Sequence, residues 1–310
     1  MNPAVLLGLV LLATFSLVSL MLAALLALAW RAGLAHLRAT SLDLLALRLL
    51  PSAGALLIAL TVVLPAFVGF EPHREREAAG PLLIVLAVLA VAGLTAGIWR
   101  AGRAVRAARA LLERCRPGPD RIGHEAVHVA ETSEPIVAVI GAWRPRIVAT
   151  ESVRAACSGE EFRAVLAHEA AHLAARDNLK LLLLTAAPDA LALTPLAAAL
   201  AERWRTAAEC EADQRATGGD SERRLALASA LIRVARLMQS RGAPQPALGM
   251  PVAADDVPGR VRTLLAPPTP NSRARILAVL TAGALLLPLL ALPCYALLHE
   301  LIERLVGLGR

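Results

Sequence analysis

The sequence has 310 residues, of which 57% are hydrophobic and only 18% charged, and a net charge of +7. That composition excludes an ordinary soluble domain and a disordered chain, and it calls for membrane-crossing segments. The positive charge does not point to nucleic acid, because the arginines mostly flank apolar runs, as membrane topology requires, and no direct nucleic-acid binding is expected.

In chain order, residues 4–30 form a nearly uncharged apolar run ending at Trp30-Arg31. It is too long for the apolar part of a signal peptide and reads as a first transmembrane helix. Residues 49–70 make a second candidate, with Pro51, Gly54 and Pro65 inside it. Membrane helices tolerate such residues. A polar loop, 71–80, leads to a third span at 81–99, and a fourth is expected at 276–298. Arginines crowd the stretch after the third span (Arg100, Arg103, Arg106, Arg109, Arg114, Arg116) and recur before the fourth (Arg260, Arg262, Arg273, Arg275). In the 71–80 loop, Arg74 and Arg76 are balanced by Glu71, Glu75 and Glu77. The arginine bias therefore predicts a cytoplasmic domain at 100–275, between a membrane domain at 1–99 and a final span with a short tail at 276–310. Residues 100–116 read as a basic helix on or leaving the membrane, or as a solvated connector. Cys115, Cys157, Cys210 and Cys294 lack paired spacing, which gives neither a disulfide framework nor a cysteine zinc site.

Within the domain, residues 124–131, 135–140 and 146–150 have short strand-like patterns, with Gly141 and Pro145 at the last turn. The sequence His-Glu-x-x-His occurs twice, at His124–His128 and at His168–His172. The first copy runs into an alternating strand pattern, where residues four apart lie roughly 13 Å from each other and cannot share a metal ion. The second follows Ser158-Gly-Glu-Glu161, which has the form of a capping box, and Phe162, Val165, Leu166 and Leu173 continue at helical spacing. On a helix His168 and His172 share a face, and Glu169 stands beside it, placed to take a proton from a metal-bound water.

Residues 179–199 are apolar but hold Pro188, Asp189 and Pro195, so a helix hairpin or a dipping segment is expected there rather than a crossing. Helices follow at about 201–216 and 221–239, and 241–259 reads as a loop. A catalytic zinc needs a third protein ligand. Glu209 and Asp213 share a face of the 201–216 helix, and Glu211 points away. Glu209 as ligand with Asp213 orienting a ligand histidine is one reading, and a solvated acidic face is the other.

His168-Glu169-Ala-Ala-His172 with Arg176-Asp177-Asn178, then Glu209-Cys-Glu-Ala-Asp213, resembles the gluzincin membrane peptidases. The segment Gly141-Ala-Trp-Arg144-Pro145-Arg146-Ile147-Val148 resembles the one that precedes the active helix in the BlaR/MecR-type family, and the span arrangement suits that family. HtpX-like membrane peptidases are a more distant likeness. The resemblance implies a mainly α membrane protein with an α+β zinc-peptidase domain. It implies one zinc ion held by His168, His172 and Glu209, Glu169 as general base, and Asp213 orienting a ligand histidine. Asp177 would do similar work or cap the helix end. The implied activity is endopeptidase cleavage at a cytoplasmic site, in regulatory proteolysis of a BlaI/MecI-like transcriptional repressor. The alternatives are an HtpX-like quality-control protease and a non-catalytic membrane signalling scaffold. Sensors of this family carry an extracellular penicillin-binding domain after the last span. This sequence stops shortly after its own, so direct β-lactam sensing is not expected. Two further expectations are an extended substrate paired to a strand within 135–150, and a juxtamembrane linker, or a self-cleavage region, at 260–275.

Overall fold

The computed structural model describes residues 2–36, 39–70, 79–122, 125–132, 134–241 and 257–266, together with Val279 and Thr281. The chain divides into two units. The first comprises Met1–Trp99, Ala186–Glu202 and Ser272–Arg310, and the second Arg100–Thr185 and Arg203–Asn271. Residues 186–202, expected on sequence grounds within the second domain, therefore lie with the first unit.

In the first unit, helix α1 (Pro3–Arg31) starts where the Asn2 side chain accepts from the Ala4 amide. Helix α2 (Ser41–Ile58) starts at a reciprocal capping box between Thr40 and Asp43. It passes through a π-helical turn at Ala59–Val63 into α3 (Leu64–Phe70). Pro65 has no amide hydrogen and its ring crowds the carbonyl four residues back, and a wider turn just before it lets the helix continue. The second apolar helix thus begins at Ser41, not at 49. Asp43 and Arg48 lower the hydropathy there, yet both are buried and partnered. Helix α4 (Pro81–Leu112) runs on well past the expected end of the third span. Among the described residues, three helical stretches are long and apolar enough to cross a bilayer: Pro3–Arg31, Ser41–Gly69 and Pro81–Leu112. The expected fourth span falls outside the described residues.

Leu6, Val10, Ala13, Val63, Phe67 and Leu83 pack these helices together. Ser16 donates to the Leu86 carbonyl at 2.7 Å, so this hydroxyl is satisfied inside the bundle. Gly93 and Gly97 lie one turn apart on α4. A Cβ at Gly93 would come 2.7 Å from the Pro188 carbonyl oxygen, and one at Gly97 would collide with that of Ala186. Small residues here let the 186–188 backbone rest directly on the helix. The 179–199 region is not one helix. It consists of the end of α7 (Asp177–Ala186), a 3-10 turn (Ala190–Leu193) and the start of α8 (Pro195–Thr217), with Pro188 and Pro195 at the breaks.

The second unit is built on a four-stranded sheet of order β1-β2-β4-β3. Its strands are β1 (Cys115–Ile122), β2 (Glu125–Ala130), β3 (Val137–Ile140) and β4 (Arg146–Ala149). β1 and β2 are antiparallel, β2 and β4 parallel, β3 and β4 antiparallel with Val139 opposite Ile147. Side chains alternate between two cores. Val137, Val139, Ile147 and Ala149 face Phe162, Val165, Leu166 and Leu227. Ala138, Ile140 and Val148 face Ala104, Ala108 and Leu182.

Three expectations are corrected here. Residues 100–112 are not a separate basic helix but the end of α4, because Ala, Leu and Arg all favour helix continuation. β1 was not foreseen, because Pro117, Gly118 and Pro119 argue against a strand. The sheet accepts them at an edge, with an irregular register between Pro117 and Arg121. The expected 241–259 loop also ends early, at a short helix α10 (Val257–Leu265).

After a short helix α5 (Glu151–Ala156), helix α6 (Gly159–Ala175) begins at the expected capping box. Ser158 Oγ accepts from the Glu161 amide at 3.2 Å, and Glu161 Oε2 accepts from the Ser158 amide at 2.7 Å. Ser229 and Arg233 of α9 (Ser221–Arg241) hold the other Glu161 oxygen. Ser158→Ala is expected to cost about 1 kcal/mol. Amide exchange in the first turn of α6 should then speed up, and unchanged exchange would mean the cap is inert.

Candidate metal centre

Helix α6 carries His168, Glu169 and His172 on its buried side. It stops at Arg176, which adopts a left-handed conformation (φ 54°, ψ 41°), so the chain turns and α7 begins at once with Asp177. That turn brings Asp177 Oδ2 to 2.8 Å from His172 Nδ1. A carboxylate can only accept here, so Nδ1 carries the hydrogen and His172 Nε2 is the free lone pair. Lys180 donates to the other Asp177 oxygen at 2.7 Å. On His168, Nδ1 lies 2.9 Å from Asp213 Oδ1, and Nε2 faces inward. The contact is close but not aligned as a hydrogen bond.

The two inward Nε2 atoms are 3.0 Å apart. Glu209 closes the group from α8, with Oε2 3.3 Å from His168 Nε2 and Oε1 3.5 Å from His172 Nε2. One ligand atom from each of His168, His172 and Glu209 lies within 4.8 Å of the others. Among the described residues no other such group is found. His124 lies outside the described residues. His128 sits on β2, with Nδ1 3.1 Å from the Ala126 carbonyl oxygen, and takes no part in this group.

Glu169 is 1% exposed, and its Oε2 accepts from the Val139 amide at 2.9 Å. Asn178 donates to the carbonyls of Val139 (2.7 Å) and Gly141 (3.0 Å). The outer edge of β3 is thus engaged at Val139 by side chains. The expected open strand for an extended substrate is not available at that residue in this conformation.

Burial raises the Glu169 carboxyl above its ordinary range, against the pull of both histidines and the Val139 amide. Burial also opposes charge on His172, but hydrogen bonds with Asp177 and Glu209 prevail and push its pKa up to about 10. His168 is raised in the same way, by Asp213 and Glu209 against burial. Burial works against the charges of Glu209 and Asp213, yet His168 with its partners holds both carboxyls below the usual range.

The residues present fit a divalent cation. Glu169, Asp177, Glu209 and Asp213 are buried carboxylates, and the lysine and arginine beside them are Lys180 and Arg260. With neutral histidines the group is two positive charges short, a deficit that one divalent ion fills and that, without an ion, a proton on each histidine would fill. Glu209 Oε2 is also buried without a hydrogen bond. Two imidazoles, one carboxylate and a carboxylate behind each imidazole make a donor set typical of catalytic zinc.

The structure therefore brings together all the residues singled out in the sequence: His168, Glu169, His172, Asp177, Glu209 and Asp213. It adds two that sequence reasoning missed. Asn178, present in the Arg176-Asp177-Asn178 segment but given no role there, ties β3 to α7. Arg260 is 1% exposed and meets both Glu209 and Asp213. Val257, Arg260 and Leu264 have helical spacing, but an arginine in that stripe reads as solvent-exposed until its carboxylate partners on α8 are known.

No curated protein matches this chain. The profile of the BlaR1 peptidase M56 family matches residues 74–264, a stretch that contains the whole centre. The chain is a membrane-associated metallopeptidase by that match and by its apolar helices, and it belongs to the BlaR1 peptidase M56 family.

Proposed function

We propose that this chain is a multi-pass zinc endopeptidase of a bacterial cell membrane, with a gluzincin-type site facing the cytoplasm. The observation that carries this reading is the buried group of His168, His172 and Glu209, with Glu169 beside it and a carboxylate facing each histidine. The arginines at the end of α4, against the charge-balanced 71–80 loop, support the cytoplasmic side. The substrate class is a protein or peptide, and the family match supports regulatory proteolysis of a BlaI/MecI-like repressor.

When bound, zinc would lower the pKa of a water and polarise the scissile carbonyl. Asp177 and Asp213 keep the histidines oriented through their Nδ1 atoms. The Val139 amide fixes Glu169 by Oε2 and leaves Oε1 to accept the water proton. Glu169 then passes that proton to the leaving amine. Burial of the site keeps bulk water out and gives these charges their full effect.

Zinc analysis of the detergent-purified chain tests the reading. About one zinc per chain is expected in wild type, lost in His172→Ala and Glu209→Ala. A folded wild type that takes up no added zinc would leave only the scaffold reading. Cleavage of one co-expressed repressor with casein left intact supports the regulatory role, and broad casein cleavage would replace it with quality control.

A further inference from the structure

Arg260 reaches the centre from α10, beyond every other residue of the site in the chain. The buried face of that helix is Val257, Arg260 and Leu264. Val257 and Leu264 join the core formed with Leu227, Leu231 and Val234. A guanidinium in the middle of such a stripe is strongly disfavoured unless it is fully paired. Here the pairing is two-sided. Nε lies 2.9 Å from Asp213 Oδ2 and Nη2 2.6 Å from Asp213 Oδ1, a forked contact. Nη1 stands 2.6 Å from Glu209 Oε2 as a charge contact without hydrogen-bond alignment. Glu209 and Asp213 are one helical turn apart on α8, and the guanidinium spans them. Only a planar fork does this, because an ammonium group cannot grip one carboxylate with two parallel bonds and touch a second.

The contact has a direction. Asp213 Oδ1, gripped by Nη2, is the same oxygen that faces His168 Nδ1 at 2.9 Å. Arg260 thus sets Asp213, Asp213 sets the His168 ring, and the ring turns Nε2 inward. On the other side Arg260 engages Oε2 of Glu209, the oxygen nearer His168, and leaves Oε1 toward His172.

We propose that Arg260 is a positioning residue of the metal centre: its guanidinium fixes Asp213 and Glu209 together, so that His168 and Glu209 present their donor atoms to one ion. The proposal rests on the zinc reading. It makes seating of α10 a requirement for tight metal binding, although α10 contributes no ligand. A second contact of Arg260 points the other way. Arg260 Nη2 also lies 3.4 Å from His168 Nε2, and a cation there could repel the metal. The two contacts predict opposite signs.

The test is zinc affinity of the full-length protein in detergent, measured by competition with a chromogenic chelator. Cobalt-substituted spectra serve as a second readout. Arg260→Met is expected to bind zinc about 10- to 100-fold more weakly, the usual effect of losing a partner behind a ligand. Its cobalt bands should shift, because the ligand geometry changes. Arg260→Lys restores the charge but not the fork, and should recover only part of the loss. Asp213→Asn should weaken binding too, and Arg260→Met added to it should cost clearly less than it does alone, because the two share the Asp213 carboxylate while Arg260 also holds Glu209. Leu227→Ala loosens the same core without touching the carboxylates, and should keep wild-type affinity and cobalt bands.

Unchanged or tighter zinc binding in Arg260→Met overturns the proposal, and so do fully additive losses with Asp213→Asn. An equal loss in Leu227→Ala reduces the effect to general stability and also overturns it. Absence of zinc from wild type removes the zinc reading itself, a result distinct from wild type and Arg260→Met binding zinc equally.

Discussion

Glu169→Gln is expected to lower peptide hydrolysis by about a hundred- to ten-thousand-fold, with zinc content unchanged. The substitution is nearly isosteric, and the amide oxygen of glutamine can still accept from the Val139 N–H that now meets Glu169 at 2.9 Å. What is lost is the capacity to take a proton. Glu169 is suited to that task because burial raises its carboxyl above the ordinary range, closer to neutrality, where a general base is most effective. The check is single-turnover cleavage by detergent-purified wild type and variant, each assayed for zinc. Hydrolysis surviving in the zinc-loaded variant would assign the base to another residue.

The second large effect lies in the first unit. Arg48 Nη1 meets both oxygens of Asp189, at 3.1 and 3.0 Å, and the Ser52 hydroxyl also donates to Asp189. The two charged side chains are 4% and 0% exposed, among helices that are otherwise apolar. Removing one partner strands the other charge where neither water nor protein can compensate. Asp189→Leu is therefore expected to destabilise this unit by about 3–5 kcal/mol. Arg48→Met/Asp189→Leu should recover most of that loss, because the isolated charge, not the missing bond, carries the cost. Denaturant unfolding in detergent, followed at the four variants of the cycle, measures both. Equal stability of wild type and Asp189→Leu would show that the pair is solvated in solution. The pair fastens residue 189, in the stretch between α7, which starts at Asp177, and α8, which carries Glu209.

The sequence made the chemistry of the centre legible because its parts are local. His168, Glu169 and His172 share one helix, the Ser158–Glu161 box marks where that helix begins, and Glu209 and Asp213 lie a turn apart on another. The strand reading of the upstream His-Glu-x-x-His followed from alternation alone, and β2 carries His128 as that reading requires. What escaped depends on partners distant in sequence. Arg260 looked like one more juxtamembrane arginine, since only its carboxylate partners on α8 make a buried guanidinium tolerable. Arg48 and Asp43 disguised the start of α2 for the same reason. β1 was hidden by prolines that only an edge position in a sheet accommodates. Residues 100–112 look separate from the third span because charge changes at Arg100, yet helical propensity does not change there and the helix runs on.

Zinc K-edge X-ray absorption on the full-length protein decides whether the ion sits among His168, His172 and Glu209. Zinc held there has as nearest neighbours two imidazole nitrogens and carboxylate or water oxygens at about 2.0–2.2 Å, with no sulfur. In His172→Ala the bound-zinc signal itself should be lost. A sulfur shell at about 2.3 Å, or an all-oxygen shell unchanged in that variant, would place zinc elsewhere and contradict the centre described above.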